Sequence, residues 1–206
     1  GASNLQALYY LPFAEDSGGS LRKMRCISMI IFFTLCVVTL GNHLTLENAK
    51  EFLSTSGKMW MIQRSFVRQG NKGVISCVNV LKISVADGDR YTYLYNHKEG
   101  ETWVHTYIYV TPLEGTADDG DPIIDVSREK GESEKQYRLR FWDRDQHCAI
   151  LTISSTEFSD GGTLCEIYQW EKNIGAEVPH SCDSKFDELC PYQKHAVHKH
   201  CSTMSG

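Results

Sequence analysis

The chain has 206 residues, 41% of them hydrophobic, and a formal net charge of −5. Such a mildly acidic balance speaks against phosphate-backbone binding, which needs clustered Lys and Arg, so no nucleic-acid partner is expected. The eight cysteines call for a decision about compartment before anything else is read.

The N-terminal region supplies that decision. An apolar run from Ile27 to Leu40 follows Arg22, Lys23 and Arg25 and ends at Gly41. A basic flank, a short apolar core and a small-residue exit predict a secretory signal peptide over residues 24–41, with Met24 as its initiator. The run is shorter than the roughly 20 apolar residues of a membrane span, so no membrane anchorage is expected. Residues 1–23 then read as an upstream extension or an artefact of an over-long reading frame. The predicted mature domain is residues 42–206, which carries 18 basic and 24 acidic side chains. It retains Cys77, Cys148, Cys165, Cys182, Cys190 and Cys201. An even set in an exported chain predicts three disulfides, for which six cysteines allow 15 pairings. No N-glycosylation acceptor follows Gly41.

Along the mature domain, Thr45 to Leu53 reads as a short amphipathic helix capped by Thr45 and ended near Gly57. The period then changes from 3.6 to 2. Lys58 to Val67 reads as a strand with Trp60, Ile62, Arg64 and Phe66 on a common face. Val74 to Val85 is a second strand, and Asp87-Gly88-Asp89 signals a hairpin turn. Arg90 to Asn96 aligns Tyr91, Tyr93 and Tyr95. Thr102 to Thr111 alternates Trp103, His105, Tyr107 and Tyr109 against Val104, Ile108 and Val110. After a Gly- and Asp-rich loop (Pro112 to Pro122) come Ile123 to Ser127, Gln136 to Trp142 and His147 to Ser154. A turn over Phe158 to Gly162 leads to Thr163 to Trp170. A helix over Cys182 to His195 closes the pattern, with Phe186 and Leu189 inward.

Eight sequential antiparallel strands with short connections predict an all-β, up-and-down barrel, because closure removes exposed edges. Such a barrel has room for one small ligand. Periodicity does not separate inside from outside here, since both faces of several strands carry aromatics.

The C-terminal third carries the most specific pattern. Cys148-Ala149-Ile150 is followed by Glu166-Ile167-Tyr168 and then Cys182 ahead of a helix, with Cys77 upstream and Cys201 at the end. In this order the elements resemble the tick salivary lipocalins of the histamine-binding family, over essentially the whole mature domain. The resemblance implies Cys77–Cys201 and Cys148–Cys182 bridges, leaving Cys165 for Cys190. It also implies that Glu166 points into the barrel to meet the cationic group of a biogenic amine.

That role is chemically sound, because a cation leaving water needs a carboxylate and benefits from aromatic faces. Candidate ligand-binding residues are Glu166, Tyr168, Trp60, Arg64, Tyr107 and Tyr137. Two departures weaken an amine. Ala149 stands where amine binders carry an Asp, and Arg64, Arg68 and Lys72 occupy a stretch that lacks a carboxylate. Arg64 instead suits the acid group of a fatty acid or leukotriene.

The functional expectation is a monomeric, secreted scavenger of a small host mediator. Histamine or serotonin comes first, a lipid mediator second, and a host protein held by outer loops such as Gly115 to Asp121 third. No cofactor or metal is expected. His195, His198 and His200 read as a solvated helix end, and Asp118 to Asp121 lacks the spacing of a calcium loop. No nucleophile elbow, phosphate loop or zinc-protease motif is present, so no enzymatic activity is expected.

Overall fold

The computed structural model describes residues 43–86, 88–116, 120–154, 163–175, 177–191, 193–199 and 201. The predicted signal segment, the upstream extension, Asp87, Asp118, Asp119, the turn over 158–162 and His200 lie outside them.

Among the described residues ten strands run in chain order: β1 (Lys58–Arg64), β2 (Gln69–Gly70), β3 (Gly73–Ala86), β4 (Arg90–Glu99), β5 (Thr102–Leu113), β6 (Ile123–Ser127), β7 (Lys135–Asp143), β8 (Cys148–Ser154), β9 (Thr163–Trp170) and β10 (His195–Ala196). Each of β3 to β8 pairs antiparallel with the next. β1 pairs with both β9 and β3, which closes eight strands into the expected barrel. The two-residue strands β2 and β10 hang on β3 and β1.

Helix α1 (Leu46–Leu53) forms because Thr45 and Asn48 make a reciprocal capping box, in which Asn48 N–H donates to Thr45 Oγ1 at 3.3 Å and Thr45 N–H to Asn48 Oδ1 at 2.9 Å. Its Ala49, Phe52 and Leu53 are buried against the barrel interior. Two carbonyls of its last turn, without helical partners, accept from the interior: Tyr93 OH donates to Leu53 O at 2.8 Å and Trp170 Nε1–H to Phe52 O at 3.1 Å. α1 therefore plugs one end of the barrel.

Helix α2 (His180–Leu189) lies outside, over β7, β8 and β9. It stops at Leu189 rather than at the predicted His195. Pro191 follows Cys190, and the residue before a proline is pushed out of the helical region; Cys190 has φ −136° and ψ 74°. His195 lies in β10 instead, opposite Arg64.

Strand alternation thus serves two cores. One lies inside the barrel, with Phe52, Met59, Tyr93 and Trp142 at the plugged end and Leu139 and Leu151 further along. The other lies between the barrel wall and α2 and includes Trp60, Ile62, Ile150, Ile167 and Phe186. Disulfides fasten this second layer: Cys148–Cys182, Cys165–Cys190 and Cys77–Cys201, the pairings that the resemblance implies.

Candidate functional site

The barrel encloses a cavity of about 630 Å³, within the usual range for small-molecule sites. Its axis can be read along two strands. On β4, Tyr93 meets α1 at the plugged end, and Tyr95, His97 and Glu99 follow toward the open end. On β9, Trp170 meets α1, and Tyr168 and Glu166 follow in the same direction. At a rise of about 3.3 Å per residue, Glu166 sits roughly 13 Å along the strand from Trp170. The lower wall is apolar, with Phe52, Leu53, Met59, Val80, Val110 and Ile124. The upper part is polar and charged.

Glu166 is fully buried. Its Oε2 accepts from Tyr168 OH at 3.2 Å, and its Oε1 lies 3.9 Å from Arg68 Nη2 and accepts no hydrogen bond. Directly opposite on β1 stands Arg64, 3% exposed, whose Nη2 donates to Ile75 O at 2.6 Å while its Nε has no partner. The Phe66 ring lies 5.5 Å from each guanidinium carbon. Tyr95 and Tyr137 hydroxyls also interact with Arg68.

One carboxylate therefore faces two guanidiniums, and the cluster carries a net positive charge. Burial disfavours the charge on both arginines. For Arg64 burial wins and the pKa is lowered, whereas for Arg68 the Glu166 carboxylate and the phenols more than offset burial and the pKa is raised. Burial, followed by the nearby Glu166 charge, pushes the Tyr168 and Tyr137 hydroxyls well above the normal phenol value, so both remain protonated donors.

Nearer the rim, His97 Nε2 meets Glu99 Oε1 at 3.3 Å, and Glu99 Oε2 accepts from Asn71 and Lys72 N–H at 3.1 and 3.3 Å. These bonds, that from His97 first, lower the Glu99 pKa against the opposing effect of burial. The carboxylate can lie this close only because residue 70 is glycine; a Cβ there would meet Glu99 Cδ at 2.5 Å. His97 Nδ1 is buried without a partner. Glu134, the other acid on the cavity wall, pairs with Arg128 at 3.3 Å. Each described carboxylate at the cavity is thus already engaged.

The six sequence-predicted residues divide. Glu166, Tyr168, Arg64 and Tyr137 come together at the polar end of the barrel interior, where Tyr168 and Tyr137 line the cavity and Glu166 and Arg64 lie buried behind its lining. Trp60 does not: it faces the outer core, with Nε1–H donating to Glu171 Oε1 at 3.2 Å and its ring 4.8 Å from His198. The shared face expected for Trp60 and Arg64 is broken by a bulge between Met61 and Gln63, which lets Trp60 point out and Arg64 in. Tyr107 is 55% exposed on the outer wall, because register with β4 places Ile108 opposite the inward Tyr93. The stripe of Trp103, His105, Tyr107 and Tyr109 is therefore external, while that of Tyr91, Tyr93 and Tyr95 points inward.

Sequence reasoning did not assign Arg68, Tyr95, His97 or Glu99 to the site. For the last two, the signal is the alternation from Tyr91 continuing past Asn96, where the strand was expected to end. Among the described residues no group of His, Cys, Asp and Glu is arranged to hold a metal.

A closed barrel with a plugged floor, an apolar cavity and a polar rim defines a lipocalin of the small-ligand-binding class. A family model described as tick histamine binding protein matches residues 42–203, and the chain belongs to that family. Among solved structures, a serotonin complex of AM182 is similar at 17% identity and TM-score 0.50, covering 75% of this chain and 89% of that one. Japanin from Rhipicephalus appendiculatus, bound to cholesterol, is 15% identical with TM-score 0.48, covering 69% and 92%. At these identities the likeness is one of fold. No curated protein matches the chain.

Proposed function

We propose that this is a secreted scavenger of a small host mediator, and that the ligand it favours is an acidic amphiphile such as a leukotriene or fatty acid. The observation that carries this reading is the excess of guanidinium over carboxylate in the cluster of Arg64, Arg68 and Glu166 beside an apolar cavity that Arg68 lines. A ligand carboxylate leaving water there gains charge-assisted hydrogen bonds from Arg68, the guanidinium of the cluster that lines the cavity, while its chain fills the apolar floor. The three disulfides suit an oxidising, extracellular setting.

A biogenic amine such as histamine or serotonin is the second reading. It is favoured by the buried Glu166 with its unbonded Oε1 and neighbouring aromatic rings. It requires Arg68 to give up its place beside that carboxylate.

Calorimetric titration of the oxidised domain, residues 42–206, with histamine, serotonin and a leukotriene separates the two. The expected result is one-to-one binding of the leukotriene and little heat from either amine. Amine binding that disappears in Glu166→Gln, with no response to the leukotriene, overturns the acidic-ligand reading.

A further inference from the structure

Arg68 is not on a barrel strand. It ends the segment 65–68 after β1, reaches into the open end of the barrel, and keeps about a third of its side chain exposed, 30%. Its neighbours are those a small organic cation requires. The Glu166 carboxylate lies 3.9 Å away, the Phe66 ring lies 5.5 Å from the guanidinium carbon, and Tyr95 and Tyr137 interact with it. A buried carboxylate surrounded by aromatic side chains is a cation receptor.

The fit is loose. Glu166 Oε1 is buried yet accepts no hydrogen bond, so Arg68 occupies the receptor without saturating it. Arg64 does not fill the gap, because its Nη2 is committed to Ile75 O. A buried acceptor left short of a donor is costly, and a ligand able to approach more closely than 3.9 Å would relieve that cost.

We infer that Arg68 is a tethered occupant of a cation-binding box around Glu166 and is the residue that sets the charge preference of the cavity. With Arg68 in place, the box excludes small ammonium and imidazolium ions and presents a guanidinium to acids. Without it, the same box is a site for a primary amine. The acid half of this inference rests on the proposed function; the amine half does not.

The test is titration of serotonin and of a long-chain fatty acid into wild type, Arg68→Ala, Arg68→Lys and the double variant Arg68→Ala/Glu166→Gln. Serotonin should bind Arg68→Ala at least about tenfold more tightly than wild type, in line with one new charge-assisted hydrogen bond. Arg68→Lys should resemble wild type, and the double variant should lose the gain. Fatty-acid affinity should fall at least about tenfold in Arg68→Ala by the same arithmetic.

If Arg68→Ala is too unstable to titrate, ethylguanidinium at millimolar concentration should raise its melting temperature and leave that of wild type and of the double variant unchanged. The inference is overturned by a folded Arg68→Ala whose serotonin affinity equals that of wild type, or by an unstable one that ethylguanidinium does not rescue. A gain of serotonin binding in Arg68→Ala, with no fatty-acid binding by wild type, upholds the box and removes the acidic-ligand reading.

Discussion

The two faces of β1 and β9 are built from one alternating pattern and have opposite characters. Outward, Trp60, Ile62, Cys165 and Ile167 form a dry layer closed by α2 and the C-terminal strap. Two polar side chains of that layer are paired, Trp60 Nε1–H with Glu171 and Gln63 Nε2–H with Asp183, while Asn173 Oδ1 at its edge has no partner. Inward, Arg64, Glu166 and Tyr168 stand at the polar end of the barrel interior, where Arg64 Nε and Glu166 Oε1 remain without partners, as does His97 Nδ1 across the barrel. Unsatisfied buried groups lower stability by about 1–3 kcal/mol each, and native folds rarely keep them without reason. Placing the disulfides and the second core on the outside lets the inside tolerate such groups and hold them ready for a ligand.

Perturbing the outer layer should reduce stability while sparing the cavity. Replacing Cys77 and Cys201 by serine opens the bridge with the largest sequence separation, 124 residues. By loop-closure entropy this should lower unfolding free energy by about 5 kcal/mol, against about 3.5 for the Cys165–Cys190 pair. Urea unfolding of the two double variants measures the difference, and the reverse order would show that native-state strain, not loop length, governs these bridges. Trp60→Ala should cost about 3–5 kcal/mol by emptying an outer-core position. Its ligand affinity, measured on the folded fraction, should remain that of wild type; a loss comparable to that of Arg68→Ala would place Trp60 at the cavity after all.

Acid should act on the outer layer as well. Burial opposes ionisation of Asp143, but the Ser181 hydroxyl and the amides of Gln146 and Asp145 outweigh it; for Asp183 the bond from Lys194 dominates. Both carboxyls have folded pKa values below their ordinary ones. Their contribution is therefore complete above the unfolded value, about 3.9, and is lost as pH falls through the lower folded values. Burial also lowers the pKa of His198 beside Trp60, so its contribution is complete above the ordinary histidine value and is lost as pH falls below about 6.5. Melting temperature should therefore begin to decline near about pH 6 and fall further below about pH 4; a single decline below about pH 4 that is unchanged in His198→Gln would remove the histidine contribution. The smallest effect is expected for Tyr107→Ala, a change within about 0.5 kcal/mol in stability and none in ligand affinity, because the ring lies on the outer wall.

The barrel was legible because period-2 alternation persists through eight segments and is bounded by clear turns. The Glu166 strand was equally legible, since β9 contains no bulge against β8 and its parity survives from Thr163 to Trp170. The shared face of Trp60 and Arg64 does not hold, because a bulge adds one residue without any mark in composition and turns Trp60 outward while Arg64 stays inward. Tyr107 could not be placed from its own strand; both faces of β5 are aromatic or aliphatic, and only pairing with β4 decides between them. The overrun of α2 was avoidable, since Pro191 limits the helix at Cys190. Arg68 lay beyond the reach of pattern, because it enters the cavity from a segment with no period.

The central claim is that the cavity selects through the excess of positive charge in the cluster of Arg64, Arg68 and Glu166, which Arg68 presents to it. The most direct measurement is a paired calorimetric titration of the oxidised domain, at neutral pH, with a long-chain fatty acid and with the methyl ester of the same acid. The two ligands share one chain and differ only in the headgroup charge. The acid should bind one to one and at least about tenfold more tightly than the ester, as expected for a charge-assisted contact in a buried setting. Equal affinities would mean that the apolar floor alone selects the ligand, and would contradict the account.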